Sequence, residues 1–391
     1  MIDISEIQQA LKEEGLDGWL FFDHHQRDPL AYRILKLGSN GMATRRWYYF
    51  IPAEGEPTRL VHRIESGMLD AVPGTKIVYS GWNTQLAGLQ QALGGAKRIA
   101  MEYSPKCAIP YVAMVDAGTI ELVRSLGVDI VTSANLVQLF EARWSSDQLQ
   151  SHLEAGKRVD AARQGAFKFI RDTHKAGTRL TEWDVNRHIR TAFEKDGLYT
   201  DHGPIVAVNE NMSDPHYEPQ PERCAEIRPG DAVLIDMWAK LDKPGSVYYD
   251  ITWTGFCGEV IPAELNNIFE VVRGGRDRAI ERVKSAISAG EKLEGFQVDD
   301  AAREYITAQG YGDYFVHRTG HSIGEEVHGT GANMDNLETH DERLVIARTC
   351  FSIEPGVYLP RFGVRSEVNM YVGEKEARVT GEIQTEMIRI I

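Results

Sequence analysis

The sequence predicts an α+β protein of two parts: a small N-terminal α/β domain over residues 1–144 and a larger α+β domain over residues 145–391. Three observations lead there. A chain of 391 residues exceeds what one hydrophobic core usually organises. Its first part alternates short apolar runs with amphipathic stretches. From Ser145 onward, long helical periodicities alternate with short strand-like runs broken by glycine and proline.

In chain order, residues 4–11 carry the apolar spacing of a helix, and the apolar run 18–22 reads as a strand. Residues 46–51 and 58–62 flank the turn sequence AEGEP and predict a hairpin. Strand candidates at 98–103 and 128–132 bracket a helical stretch at 115–125. This part carries no catalytic signature and reads as a packing or dimerisation domain, with Glu102 a packing residue. In the second part, 147–175 and 181–195 have helical periodicity, with Thr181 and Asp184 spaced as an N-cap pair. Further helices are expected at 263–289 and 299–309. No short repeat or low-complexity segment is present.

Bulk properties exclude some partners. A net charge of -14 disfavours both phosphate backbones and anionic membranes, so neither nucleic acid nor a membrane is expected as a partner. No apolar run approaches the roughly 20 residues that span a bilayer, and no basic segment followed by an apolar one opens the chain. Cys107, Cys224, Cys257 and Cys350 lie far apart with no CxxC pair. Free thiols in a reducing cytoplasm are the expectation.

The chemistry is concentrated after residue 200. Asp236 sits inside the apolar run Val233, Leu234, Ile235, Met237 and Trp238, and Asp250 among Val247, Tyr248, Tyr249, Ile251 and Trp253. Two strands joined by a Pro-Gly turn run antiparallel, so both carboxylates can face one side. Glu354 follows Phe351, Ser352 and Ile353, and Glu367 lies between Val364 and Val368 with Arg365 beside it, again around a turn. An ionised carboxylate in such surroundings must be paired, protonated or bound to a cation. Between the two hairpins lies VHRTGHSIGEEVHGTG, with His317, His321 and His328 in a glycine-punctuated segment; His216 stands earlier, in NENMSDPHYEP. Acids and an imidazole from separate strands make a hard, oxygen-rich site suited to two divalent ions, Mn²⁺ first, with Zn²⁺ or Co²⁺ also compatible.

Each residue alone has a plainer reading. Asp236 could end a strand, Asp250 cap a turn, Glu354 pair with Arg365, and His321 be a core histidine. Glu325, Glu326 and Asp335 read as solvated loop charges, and Trp238 and Trp253 as core. The joint, ordered pattern favours the metal site.

The sequences IDMW, YYDITWTG, TGHSIG, SIEPGVY and VRSE resemble the pita-bread metallopeptidases: prolidase, aminopeptidase P and methionine aminopeptidase, with the non-metal creatinase. The resemblance covers about residues 145–391 and implies a pita-bread domain behind a creatinase-like N-terminal domain. It implies metal ligands Asp236, Asp250, His321, Glu354 and Glu367, with Asp250 and Glu367 bridging two ions. It further implies Glu354 as the proton carrier, His317 and His328 as catalytic histidines, and His216 and Arg365 as contacts to substrate. Cleavage of the Xaa-Pro bond in dipeptides is the activity implied, with aminopeptidase P action on longer peptides the alternative. The partners would be short proline-containing peptides and a second copy of the chain, as a homodimer. A creatinase-like C–N hydrolase or a binding protein on the same scaffold is disfavoured, because all five ligand positions are kept. Trp253 stands where relatives carry the arginine of DITRT, RSEVN replaces RIED, and the LDKPG turn is long; these touch substrate preference more than the metals.

Overall fold

In a computed structural model describing residues 2–38 and 43–391, the chain forms two compact units, Met1–Glu141 and Ala142–Ile391.

The first unit is a six-stranded mixed sheet. Its strands are β1 (Gly18–Asp23), β2 (Trp47–Pro52), β3 (Thr58–His62), β4 (Thr75–Tyr79), β5 (Arg98–Met101) and β6 (Asp129–Thr132), in the order β4-β3-β2-β1-β5-β6. The β2–β3 pair is the antiparallel hairpin that AEGEP predicts. Strand β1 is buried on both faces: Trp19 and Phe21 join one core, Leu20 and Phe22 the other. Helices α1 (Ile4–Glu13) and α2 (Pro29–Ile34) cover the first face; α3 (Trp82–Leu93) and α4 (Ala117–Arg124) cover the second, and a short α5 (Ala134–Val137) ends the unit. Glu102 is fully buried and accepts a 2.8 Å hydrogen bond from the Trp19 indole, a packing role inside this unit.

The second unit opens with α6 (Ser146–Lys175) and α7 (Glu182–Lys195), each begun by a capping box, Ser145 with Gln148 and Thr181 with Asp184. Strands β7 (Leu198–Tyr199), β8 (Ile205–Val208), β9 (Ala232–Leu241) and β10 (Tyr249–Phe256) follow, then α8 (Ala263–Ala289) and α9 (Gly295–Ala308). The remaining strands are β11 (Ser322–Ile323), β12 (Thr349–Ile353), β13 (Gly356–Leu359), β14 (Phe362–Arg365), β15 (Val368–Val372), β16 (Ala377–Thr380) and β17 (Ile388–Arg389). One sheet runs β17-β10-β9-β7 with β8 also on β9; a second runs β11-β12-β15-β16; β13 and β14 pair alone. Helices α6 and α7 pack on the first sheet through Val159, Ile170, Val185, Ile189 and Phe193, and α8 and α9 pack against the second. Helix α9 starts at Gly295, earlier than the apolar pattern indicates, where the Gln297 side chain accepts from the Glu294 N–H (2.9 Å).

Candidate metal centre

Alternation along β9 and β10 builds the first half of the site. Val233, Ile235, Met237 and Ala239 of β9, with Tyr249, Ile251 and Trp253 of β10, point toward α6 and α7. The intervening residues therefore face the other way, since side chains alternate along a strand. On β10 these are Asp250, Thr252 and Thr254, all polar and all buried. The antiparallel register sets Asp236 across from Thr252 and Trp238 across from Asp250, so both aspartates share one face.

The second half comes from the broken hairpin. Strands β12 and β15 pair up to Ile353 and Val368, and β13 and β14 resume pairing at Gly356 and Arg365. Glu354 and Glu367 fall in the gap, beside Pro355, which has no N–H to give to a ladder. The expectation of one plain hairpin presenting both acids is thus refined: the acids sit where pairing is interrupted. Two threonines fasten this gap to β10. The Thr252 hydroxyl donates to Glu367 Oε2 (2.8 Å) and the Thr254 hydroxyl to the Arg365 carbonyl (2.9 Å). Asn369 locks the backbone of Asp250 from both sides, accepting from its N–H (3.1 Å) and donating to its carbonyl (2.8 Å).

His321 enters through Gly320, where a Cβ would lie 1.9 Å from the Ser352 carbonyl oxygen, so only glycine lets this segment approach β12. The His321 N–H donates to Ser352 Oγ (2.9 Å), and that hydroxyl donates to Glu354 Oε1 (3.2 Å). His321 Nδ1 lies 3.1 Å from the Ser322 carbonyl; a proton there is satisfied and leaves Nε2 as a lone pair. That nitrogen is 3.5 Å from both Asp250 Oδ2 and Glu354 Oε1. Burial depresses the His321 pKa against the opposing pull of Glu354. A neutral nitrogen lone pair facing two carboxylates is a metal-ligand arrangement.

Donor atoms of Asp250, His321 and Glu367 all lie within 4.8 Å of one another. Asp236 Oδ1, Asp250 Oδ1 and Glu367 Oε1 are buried and have no hydrogen-bond partner among the described residues. Burial, and then the neighbouring carboxylates, push the Asp250 and Glu367 carboxyl groups well above their ordinary range; burial also raises Glu354. Unpartnered buried carboxylate oxygens are costly, and divalent cations satisfy them; the donor set present fits such ions.

The other expected residues are arranged as follows. Arg365 is 3% exposed, and its guanidinium donates to Asp236 Oδ2 (2.5 Å), Thr252 Oγ1 (3.1 Å) and the Tyr358 hydroxyl (3.0 Å). These contacts make it an internal partner of the acids rather than the substrate contact expected from sequence. His317 is engaged at both nitrogens, Nδ1 with the Arg318 carbonyl (2.7 Å) and Nε2 with the Tyr358 hydroxyl (2.6 Å). Burial first, then Arg365, lower its pKa to about 3, so it is neutral with no N–H left for substrate. His328 lies edge-on to His321, ring centroids 4.3 Å apart, and is lowered to about 3, chiefly by that neighbour. Neither of its ring nitrogens is hydrogen-bonded among the described residues. His216 is exposed on the segment whose Pro215 carbonyl accepts from Arg365 (3.5 Å). Glu325 and Glu326 are exposed, but Asp335 is fully buried and accepts from the N–H groups of Leu337 and Glu338, so the solvated reading fails there. Trp253 packs with α6, the Arg163 guanidinium lying 3.5 Å from its ring centroid.

Sequence reasoning passed over Thr252, Ser352, Asn369 and Tyr358. The first three stand two residues from Asp250, Glu354 and Glu367, the spacing that places neighbours on one strand face, and this was the available signal. Tyr358 has no comparable marker.

The sequence model of metallopeptidase family M24 matches residues 150–374. An Xaa-Pro dipeptidase of Lactobacillus delbrueckii subsp. lactis is 31% identical over 234 residues, a match covering 59% of this chain and 56% of that protein. The chain therefore spans little more than half the length of this relative. The crystal structure of dipeptidase PepE from Mycobacterium ulcerans superposes with a TM-score of 0.70 at 24% identity, covering 99% of this chain and 96% of that one. A prolidase structure from Thermococcus sibiricus gives 0.62 at 21% identity, covering 99% and 98%. These similarities give the fold, a smaller α/β unit followed along the chain by a pita-bread unit. With the family match spanning more than half of its residues, the chain belongs to metallopeptidase family M24.

Proposed function

We propose that the chain is a dinuclear-metal exopeptidase that hydrolyses the Xaa-Pro bond of dipeptides, using the second unit. The observation that carries this reading is the convergence of Asp250, His321 and Glu367 with unpartnered carboxylate oxygens between them. Asp236, Asp250, His321, Glu354 and Glu367 would hold two divalent ions, with manganese the proposed native pair. Bound there, such ions acidify water and polarise a carbonyl. The likeness to an Xaa-Pro dipeptidase of Lactobacillus delbrueckii supports the substrate class.

The chain's own residues supply the rest. Glu354 retains partial exposure, its side chain 17% accessible, and its raised carboxyl pKa suits it to take a proton from the attacking water and pass it to the leaving nitrogen. His328, neutral and with ring nitrogens that make no hydrogen bond among the described residues, would donate to the developing oxyanion. His317 acts by positioning: its Nε2 accepts from Tyr358, which accepts from Arg365, which holds Asp236. His216, exposed beside Arg365, is assigned to the substrate carboxylate. A homodimer in the cytoplasm belongs to the same proposal; the four cysteines are free thiols, which agrees with a reducing compartment.

Assaying Ala-Pro against Ala-Pro-Ala in Mn²⁺ tests the reading. Ala-Pro is expected to have the higher kcat/KM by at least about tenfold, some 1.4 kcal/mol of transition-state binding. Preference for the tripeptide would assign aminopeptidase P action instead.

A further inference from the structure

The cluster of acids is bordered by two surroundings of opposite charge, and one of them has no place in the reaction described. On one side Asp236 meets Arg365, behind which stand Tyr358 and His317. Along β9 in the other direction, the same face continues from Asp236 to Trp238 and then Lys240 by the two-residue repeat of a strand. Trp238 lies directly across from Asp250 and is only partly buried.

At the N–H edge of that indole sits Asp201, on the loop after β7. Its Oδ1 accepts from Trp238 Nε1 (2.9 Å) and from the His202 N–H (3.0 Å). Its Oδ2 lies 3.4 Å from the ring of exposed His202, and the carboxylate is 35% exposed. Among the described residues no lysine or arginine pairs with it. Lys240, on the same strand face, is turned away: its ammonium donates to the Glu325 carbonyl and lies 4.9 Å from the Tyr248 ring centroid. Because Trp238 stands across from Asp250 in the strand register, its hydrogen bond to Asp201 brings that carboxylate to the border of the acid cluster.

We propose that Asp201 and Trp238 form the subsite for the side chain of the first residue and make it select lysine or arginine. This rests on the Xaa-Pro dipeptidase reading. A bound dipeptide carries its carboxylate at the proline end, assigned above to exposed His216 on the Pro215 segment beside Arg365; the first residue then extends the other way, toward Trp238. There the indole face takes a long alkyl stem and attracts a cation, and Asp201 supplies the counter-charge at the end. A glutamate in the first position meets a like charge instead. Because the carboxylate is partly exposed, discrimination is moderate and sensitive to salt.

The test is kcat/KM for Lys-Pro, Leu-Pro and Glu-Pro with the metal-loaded enzyme and with Asp201→Asn and Asp201→Lys. In the wild-type enzyme Lys-Pro is expected to exceed Glu-Pro by at least about tenfold, and 0.5 M salt should shrink that ratio severalfold. Asp201→Asn, which keeps the acceptor for the Trp238 N–H, should lower the Lys-Pro to Leu-Pro ratio about fivefold or more, and Asp201→Lys should reverse the order of Lys-Pro and Glu-Pro. Ratios unmoved by both variants and by salt would overturn the subsite while leaving dipeptidase action standing. Absence of hydrolysis of every dipeptide by the wild-type enzyme would overturn the functional reading and the subsite with it.

Discussion

Replacing Glu354 with glutamine is expected to lower kcat for Ala-Pro by at least about 10³-fold, within the range that a positioned proton carrier contributes, while changing the unfolding midpoint by only a few degrees. The side chain keeps its volume, and an amide oxygen still accepts the Ser352 hydroxyl, now 3.2 Å from Oε1. What is lost is the ionisable group. Burial raises its pKa and His321 and Arg365 pull it back down, a balance suited to a group that gains and loses a proton in each turnover. Metal content of the variant must be measured alongside kcat, because Glu354 Oε1 also lies 3.5 Å from His321 Nε2 in the proposed ligand set. Near-normal turnover by a metal-loaded variant would remove Glu354 from the proton path.

The second large effect has opposite signs in two assays. Glu367→Gln should abolish hydrolysis, yet make the metal-free protein more stable, by roughly 1–3 kcal/mol at pH 8, as expected when a buried uncompensated charge is neutralised. Glu367 is 2% exposed, its Oε1 has no partner among the described residues, and Thr252 donates to Oε2; glutamine keeps that bond through its carbonyl. The pH dependence follows from the direction of the shifts. Asp250 and Glu367 are both raised well above their unfolded values, first by burial and then by neighbouring carboxylates, Asp236 beside Asp250 and Asp250, Glu354 and Asp236 beside Glu367. Groups raised on folding contribute stability fully below the unfolded carboxylate range, about pH 4, and lose it as pH rises through their folded values. Metal-free wild-type protein should therefore unfold at lower temperature at pH 8 than at pH 5.5. Glu367→Gln should flatten that slope. A saturating divalent ion should reverse it in the wild-type chain alone, by about 2.7 kcal/mol at a hundredfold excess over Kd. Thermal unfolding at the two pH values, with and without Mn²⁺, measures all of this; a variant less stable than wild type without metal at pH 8 would contradict it.

The parts of the fold that could be read from sequence were those where one physical pattern dominates. Helices α6, α7 and α8 announce themselves by long apolar periodicities, and α7 by its Thr181–Asp184 cap. The acids stand out because Asp236 and Asp250 interrupt strands buried on both faces. Strand β4 is not legible in the sequence because it is an edge strand with mostly exposed residues, nor is α3, because its sequence, WNTQLAGLQQAL, is largely polar and small. The hydrogen-bond partners were harder still. Which way Arg365 turns, toward Asp236 rather than toward substrate, depends on Tyr358 and Thr252 approaching from two other strands. Likewise, the loss of both His317 ring nitrogens to Arg318 and Tyr358 is decided by tertiary contact. Asp201 carries no marker of its own in the sequence; its nearness to the acids depends on the indole of Trp238 and on the β9–β10 register.

The most direct measurement is the metal content of wild-type, Asp250→Asn and Glu367→Gln proteins equilibrated with Mn²⁺ and desalted, read beside Ala-Pro hydrolysis. Two ions per wild-type chain, fewer than one in each variant, and activity that tracks occupancy are the expected result. Full hydrolysis by wild-type protein stripped of divalent ions and held in excess chelator would contradict the metal centre built from these side chains.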